Sequence, residues 1–356
     1  MRTWTSLLVF SGLLLACDNG STNDGESAGI EPTTTSRGTS SSTGTTTMTN
    51  PETGSFSSTS TVTTDPGAED DGEDPPEPPI TFDIGVTPDF GEFDDGCNAV
   101  DFLFVIDNSG SMFGAQTNLL ANFPAFIDGI QATLVDVDSF HVGVTTSDEY
   151  AGNLLDPREC SQLGALVTST AGGDSSDAVC TPFAEGFPYI TEQDDLSTSF
   201  QCAAQVGTSG AAGERPMNAL EAAIGPDLNA EGACNEGFIR DNALLVVVVI
   251  TDEADGPGDP DLVSSTGDPA SWYQSVLDAK GGIAENAAAL VLTNYVDGPC
   301  PPGGFGSDDG VNLVNFAGLF GENGFVAGIC EPDYGPSFTQ ATAVIEQACE
   351  NFIPPG

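Results

Sequence analysis

Basic residues are nearly missing from this chain: six Lys and Arg stand against 54 Asp and Glu, a formal charge of −48 over 356 residues. No patch of cations exists to neutralise phosphates, so nucleic acid is excluded as a partner and an anionic membrane surface is a poor match. Histidine occurs once, at His141. A Ser-His-Asp hydrolase would have to pair that residue with Ser109 or Ser111, and its place inside a strand pattern gives no support to such a triad. A packed, hydrogen-bonded histidine is the simpler reading. No Cys-x-x-Cys pair is present, which removes zinc ribbons and thioredoxin-like redox chemistry. The Gly-rich loops lack the Lys of a phosphate loop and the strand–helix setting of a dinucleotide fingerprint. No internal repeat is visible.

The one long apolar run lies at the start, in "MRTWTSLLVFSGLLLAC". A single Arg, an apolar core from Leu7 to Leu15 and small Ala16 form a secretory signal, too short to persist as a spanning helix. "LLAC" resembles the bacterial lipobox, whose Cys is acylated. The expectation is a signal peptide over 1–16, a lipid anchor on Cys17, and a place in a bacterial cell envelope, periplasmic or at the cell surface. Contact with the membrane would be through that lipid only. Lipidation also accounts for the odd cysteine: nine minus Cys17 leaves Cys97, Cys160, Cys180, Cys202, Cys234, Cys300, Cys330 and Cys349. An even set in an oxidising compartment reads as four disulfides. Cys97 and Cys349, at the two ends of the globular part, are expected to pair, and Cys160–Cys180 is expected to close an inserted loop.

Residues 17–95 are Thr, Ser, Gly, Pro and acid, with Phe56 the one aromatic between Cys17 and residue 80. Such a segment buries too little apolar surface to offset its ordering entropy and reads as a disordered tether, roughly 50 Å in root-mean-square span. From residue 96 to 356 the pattern is globular. Strands are expected at 100–106, 139–146, 243–250, 287–295 and 325–329. Helices are expected at 112–132, 215–224, 270–280 and 337–351, around an irregular cysteine-bearing insertion at about 150–206. Strands alternating with helices imply an α/β, three-layer Rossmann-like fold with a mostly parallel sheet. The run "ALLVVVVI" has the continuous β-branched character of a strand buried on both faces.

Ligands of open α/β sheets gather beyond the carboxyl ends of strands. Two strands end there in oxygens: Asp107, Ser109 and Ser111 follow "VDFLFVI", and Thr251, Asp252 and Glu253 follow "LLVVVVI". Asp-x-Ser-x-Ser around Gly110 lets alternate side chains face one centre, and hard oxygens with room for water suit Mg²⁺, Mn²⁺ or Ca²⁺. "DEADGPGDPD" adds Glu253, Asp255, Asp259 and Asp261, either a second, calcium-type site or a solvated acidic loop.

"FVIDNSGSM", the Gly207-Thr208 loop ahead of a helix, and "VVVVITDE" together resemble the von Willebrand factor type A domain with its metal-ion-dependent adhesion site, over roughly residues 98–352. The resemblance implies that Asp107, Ser109, Ser111, Thr208 and Asp252 hold the cation, with an open position that a partner's carboxylate fills. Thr145, Thr146 and Thr168 are rivals for the middle hydroxyl, since the cysteine-bearing insertion departs from the family's spacing. The implied function is adhesion or protein–protein recognition of an acidic group on a protein or matrix ligand. The alternative is an assembly component of an envelope complex in which the metal only orders loops. No general base is evident beside Asp107 and Asp252, so the reading is non-enzymatic.

Overall fold

The computed structural model describes residues 96–133, 137–257, 263–295, 297–300 and 309–355. Cys17, the tether, Asp259 and Asp261 lie outside the described residues. Six strands form one sheet: β1 (Ala99–Ile106), β2 (Ser139–Thr146), β3 (Ile190–Thr191), β4 (Leu244–Ile250), β5 (Ala287–Thr293) and β6 (Gly324–Gly328). Their order is β3-β2-β1-β4-β5-β6. All neighbours run parallel except β3, which pairs antiparallel with β2 at the edge.

Helices cover both faces because β1 and β4 are apolar at every register position but one. Alternate residues of a strand point to opposite faces. Val100, Phe102, Phe104 and Ile106 of β1 join Leu244, Val246, Val248 and Ile250 of β4 on one side. There they pack on α1 (Phe113–Thr133), α2 (Leu196–Ala204) and α7 (Gly335–Glu350), through Phe123, Phe126, Phe200 and Phe338. Leu103, Val105, Leu245, Val247 and Val249 face the other way. They meet α3 (Pro216–Ile224), α5 (Pro269–Ala279) and α6 (Val311–Gly318) through Leu220, Trp272 and Phe316. The three-layer α/β architecture expected from the sequence is the one observed.

Four elements go beyond the sequence reading. The stretch expected to be irregular supplies both the edge strand β3 and the helix α2. Helix α2 carries its own signals in "DLSTSFQCAA": Asp195 accepts from the Thr198 N–H as an N-cap, and Leu196, Phe200, Ala203 and Ala204 form its buried stripe. Helix α6, between β5 and β6, has the same short amphipathic character, with Leu313, Phe316 and Ala317 buried. A four-residue helix, α4 (Pro226–Asn229), follows α3.

All eight cysteines of the globular part are paired. Cys97 bonds Cys349 across 252 residues, joining the entrance of β1 to the last helix. Cys180 bonds Cys202 on α2, and Cys300 bonds Cys330. The expected Cys160–Cys180 bond is not formed. Cys160 pairs instead with Cys234, in the loop after α4. The Cys160 carbonyl is held by Asn153 Nδ2, while Cys180 donates its N–H to the Thr168 carbonyl and bonds Cys202 on α2.

At the end of the sheet away from the strand carboxyl termini sits the one polar position of β1, Asp101, fully buried. Arg240 satisfies it: Nε donates to Oδ1 at 2.7 Å and the backbone N–H to Oδ2 at 2.8 Å. The guanidinium also donates to Ser139 Oγ and the Val100 carbonyl. Burial pushes the Asp101 carboxyl up to about 6, against the pull of Arg240. His141, 3.7 Å away, is pushed down to about 4 by burial. It is therefore neutral at pH 7 and its approach to Asp101 is not an ion pair; its Nδ1–H donates to the Phe238 carbonyl instead, at 2.9 Å.

These shifts work in opposite senses. The raised Asp101 carboxyl contributes stability below its unfolded value that is lost as pH rises through about 6, whereas the depressed His141 loses stability as pH falls through about 4. Replacing Arg240 by Met strands a buried carboxylate, for an expected loss of about 3–5 kcal/mol at pH 7.5. The loss shrinks at pH 5, where Asp101 without its cation takes up a proton. Urea unfolding at both pH values checks this, and an equal loss at each would refute the assignment. Cys97→Ser is expected to cost about 2–5 kcal/mol by releasing the 252-residue loop, measured by the same unfolding under non-reducing conditions.

Candidate functional site

Strand register builds this site. Ile106 at the end of β1 lies opposite Thr146 of β2 on one side and Ile250 of β4 on the other. The next residue of each strand therefore emerges at the same level: Asp107 between Ser147 and Thr251. Both hydroxyls turn inward on the carboxylate. Thr251 Oγ1 donates to Asp107 Oδ2 at 2.7 Å, and Ser147 Oγ donates to Oδ1 at 3.3 Å. The Ser109 N–H adds a third bond to Oδ1 at 2.8 Å, closing the turn of Asp-x-Ser. Asp107 is fully buried, and that burial pushes its carboxyl above the usual range while the three donors oppose the rise. Its partners are all neutral.

Hydroxyls lead outward from the acid. Ser109 Oγ lies 2.9 Å from Ser111 Oγ, and Ser111 Oγ donates to Asp252 Oδ1 at 3.0 Å. Asp107, Ser109, Ser111 and Asp252 thus form one oxygen-lined cluster spanning the ends of β1 and β4. It contains two acids and two hydroxyls. Among the described residues no three His, Cys, Asp or Glu side chains converge on one point, so a site here depends on its hydroxyls. Ser111 and Asp252 open onto a groove of 480 Å³ between α1 and the 329–332 segment, lined also by Asn118, Ile329 and Glu331. Phe113, next along from this rim, is an exposed aromatic.

Thr208 lies on a separate loop whose glycines allow two close approaches, Gly207 to the insertion and Gly210 to the first loop. Gly207 has φ +83°, and a Cβ there would meet the Gly173 carbonyl at 2.5 Å. At Gly210 a Cβ would meet the Asn108 side chain and backbone, and the Gly210 N–H donates to the Asn108 carbonyl at 2.8 Å. The Thr208 hydroxyl is not hydrogen-bonded to the Asp107–Asp252 cluster; it donates to Asp174 Oδ2 at 2.7 Å. The rival hydroxyls are engaged elsewhere: Thr145 with the Ala165 carbonyl, Thr146 with Asp148, and Thr168 with Asn153.

In the acidic loop after β4, Asp255 is fully buried and spent on backbone. Its Oδ1 accepts from the Gly256 and Ser265 N–H groups and its Oδ2 from the Met217 N–H at the start of α3. It is a brace rather than the solvated or cation-binding acid that the sequence suggested, and burial raises its carboxyl. Glu253, half-buried, donates its N–H to Thr251 Oγ1.

Two residues that sequence reasoning missed hold the loops together. Gln116 on α1 donates through Nε2 to the carbonyls of Asp107 and Gly207, and its Oε1 accepts from the Gly207 N–H. Asp148 accepts from Asn108 Nδ2 and Thr146 Oγ1 on Oδ1, and from the Ala211 N–H on Oδ2. Each spans loops far apart in the chain, and neither belongs to a local motif. A polar residue facing the apolar side of α1 was the available signal for Gln116.

Asp148→Ala removes the acceptor common to three loops. The expected result is a loss of about 1–3 kcal/mol with faster amide hydrogen exchange at Ala211, whose N–H it holds. Exchange at Ala211 unchanged from the parent would show that Asp148 does not hold the loop.

No family model matches this sequence, and no curated protein matches it. Solved structures that it resembles include two of proximal thread matrix protein 1 from the mussel byssus. They share 14% and 16% identity with TM-scores of 0.37 and 0.33, over 72% and 71% of this chain and 49% and 47% of that protein. A von Willebrand factor type A structure from Catenulispora acidiphila is similar at 14% identity and TM-score 0.35, over 70% of this chain and 42% of that one. The chain spans less than half the length of each.

Proposed function

We propose that the globular part is a von Willebrand factor type A-like recognition domain whose strand-end oxygens hold one divalent cation, which in turn binds a carboxylate on a protein or matrix partner. The observation carrying this reading is the linked set Asp107–Ser109–Ser111–Asp252 at the level carboxyl ends of the two central strands. Its chemistry fits the cation. All donors are hard oxygens, and two of the four are neutral hydroxyls, a set that suits Mg²⁺ or Mn²⁺ and leaves positive charge for an outside acid. Bound there, the cation would supply a fixed positive centre on an otherwise acidic surface. Thr208 would approach from the loop beside it.

Charge supports the same direction of recognition. The described residues contain four Lys and Arg, and each is held internally. Arg158 lies against Asp156, Arg215 against Glu149, Arg240 against Asp101, and Lys280 against the Arg240 and Asp241 carbonyls. An acidic partner would find its attraction at the cation. We further propose that Cys17 carries the lipid and that the acidic, Thr/Ser-rich segment after it displays the domain at an envelope surface, where many copies gain avidity. No helix among the described residues is long and apolar enough to cross a membrane. The loops at the site are braced by protein groups, Gln116 and Asp148 above all, which favours a cation that binds a partner over one that only orders loops.

Isothermal titration with Mg²⁺, Mn²⁺ and Ca²⁺ tests the reading. One cation per chain is expected, with uptake weakened at least about tenfold in Asp252→Ala and in Asp107→Asn. No uptake of any of the three, or uptake indifferent to both substitutions, overturns it.

A further inference from the structure

The cysteine-bearing insertion reaches the site through one side chain. We infer that Asp174 is a positioning residue for the cation: it accepts a hydrogen bond from the Thr208 hydroxyl, which turns that hydrogen away and leaves the oxygen's lone pairs free for the metal. The inference rests on the cation-binding reading above and adds to it a residue from outside the oxygen set.

A hydroxyl is a useful cation ligand only when its hydrogen points elsewhere, since an O–H aimed at the ion offers the wrong end of the dipole. A carboxylate is the strongest neutral-pH acceptor for that hydrogen. The cluster already shows one such arrangement: the Ser111 hydroxyl donates a hydrogen bond to Asp252. Thr208 repeats it, donating to Asp174 Oδ2 at 2.7 Å. Thr208 is also flanked by a contact to α1 on one side and to the first loop on the other. Gly207 is held by Gln116, which itself bonds the Asp107 carbonyl, and Gly210 donates to the Asn108 carbonyl.

The insertion is built to keep Asp174 there. The Thr208 N–H donates to the Gly173 carbonyl and the Gly173 N–H to Ser209 Oγ. Gln205 Nε2 donates to the Asp174 carbonyl, and the Ser176 N–H to the Gln205 carbonyl. Ser176 Oγ then bonds the carbonyl of Cys202, itself cross-linked to Cys180. Asp174 sits at φ +63°, a left-handed conformation that Asp, Asn and Gly accept more readily than other residues. An exposed acid fixed on both sides of its backbone and aimed at one hydroxyl orients rather than merely charges the site.

The left-handed backbone makes the test clean, because Gly and Asn both fit without strain. Mn²⁺ titration of the full chain is expected to show about tenfold weaker binding for Asp174→Gly, which has no acceptor. Asp174→Asn keeps an acceptor oxygen at the same place and is expected within about threefold of the parent. In a Thr208→Ala background Asp174→Gly should add no further loss. Unchanged or tighter binding in Asp174→Gly overturns the inference. So does Asp174→Asn falling as far as Asp174→Gly, which would mean that charge alone matters, or a full additional loss without Thr208. A parent protein that takes up no cation overturns both this inference and the cation-binding reading, whereas a parent that binds with Asp174→Gly unchanged overturns only this one.

Discussion

Asp107 is a fully buried carboxyl group met by the neutral donors Thr251, Ser147 and Ser109, held at the point where three parallel strands run out together. The level register of β1, β2 and β4 makes that possible, because it delivers Ser147 and Thr251 to either side of the acid at the moment the ladders end. Neutral donors satisfy the geometry of a buried carboxylate but not its charge, and burial accordingly raises its carboxyl. Beyond it the two hydroxyls and the second acid continue the hydrogen-bonded chain toward the surface. A slip of one residue in β1 would carry Asp107 out of the gap between Ser147 and Thr251, so the strand register and the site's chemistry are one constraint.

The distribution of cations follows a matching logic. Arg240 is spent on the one buried acid at the opposite end of the sheet, and Lys280 pins the loop that carries Arg240 by donating to its carbonyl at 2.6 Å. Burial lowers the Lys280 ammonium, which the acids around it offset. With the four described basic residues each paired to an acid or a carbonyl, the exposed charge among the described residues is mostly acid. Such charge is screened beyond about 10 Å at 0.1 M salt, so its reach is short and its local arrangement decides what it does. Near the strand ends it would raise the local concentration of cations and discourage the approach of acidic molecules.

Sequence made legible what is local. The β-branched run of β4 and the near-continuous apolar run of β1 declare strands buried on two faces. The Asp-x-Ser-x-Ser loop after one and Thr-Asp-Glu after the other declare a polar strand end. The Cys97–Cys349 clasp followed from where those residues stand relative to the first and last elements. What was not legible is what depends on residues far apart meeting. Gln116 looks like an ordinary helix residue until Gly207 is seen against it, and Asp148 like a turn acid until Asn108 and Ala211 converge on it. Asp255 belongs to an acid-rich string whose spelling says solvent, yet its backbone partners Met217 and Ser265 come from elsewhere and bury it. Cys160 faces the same difficulty: its partner is decided by how the insertion folds back onto the loop after α4.

That folding back explains why so irregular a stretch is so heavily fastened. Between β2 and α3 the chain supplies only a two-residue strand and a nine-residue helix beside short turns, and other buried apolar residues such as Val167, Phe183 and Tyr189 stand outside regular strands and helices. Two disulfides bind it, one to the loop after α4 and one within itself. Buried Asn153 gathers the Cys160 and Leu166 carbonyls and the Thr168 and Ser169 N–H groups around a single amide. Cross-links of this kind act chiefly by restricting the unfolded chain, but the Asn153 amide and the Gly173–Thr208 ladder restrict the folded one. A ligating hydroxyl has to be held within about 0.5 Å to be of use to a small cation. A loop held by side-chain and backbone hydrogen bonds on both flanks meets that demand where a merely tethered loop does not. The insertion is thus less an ornament on the sheet than the means by which its third loop is given a fixed position.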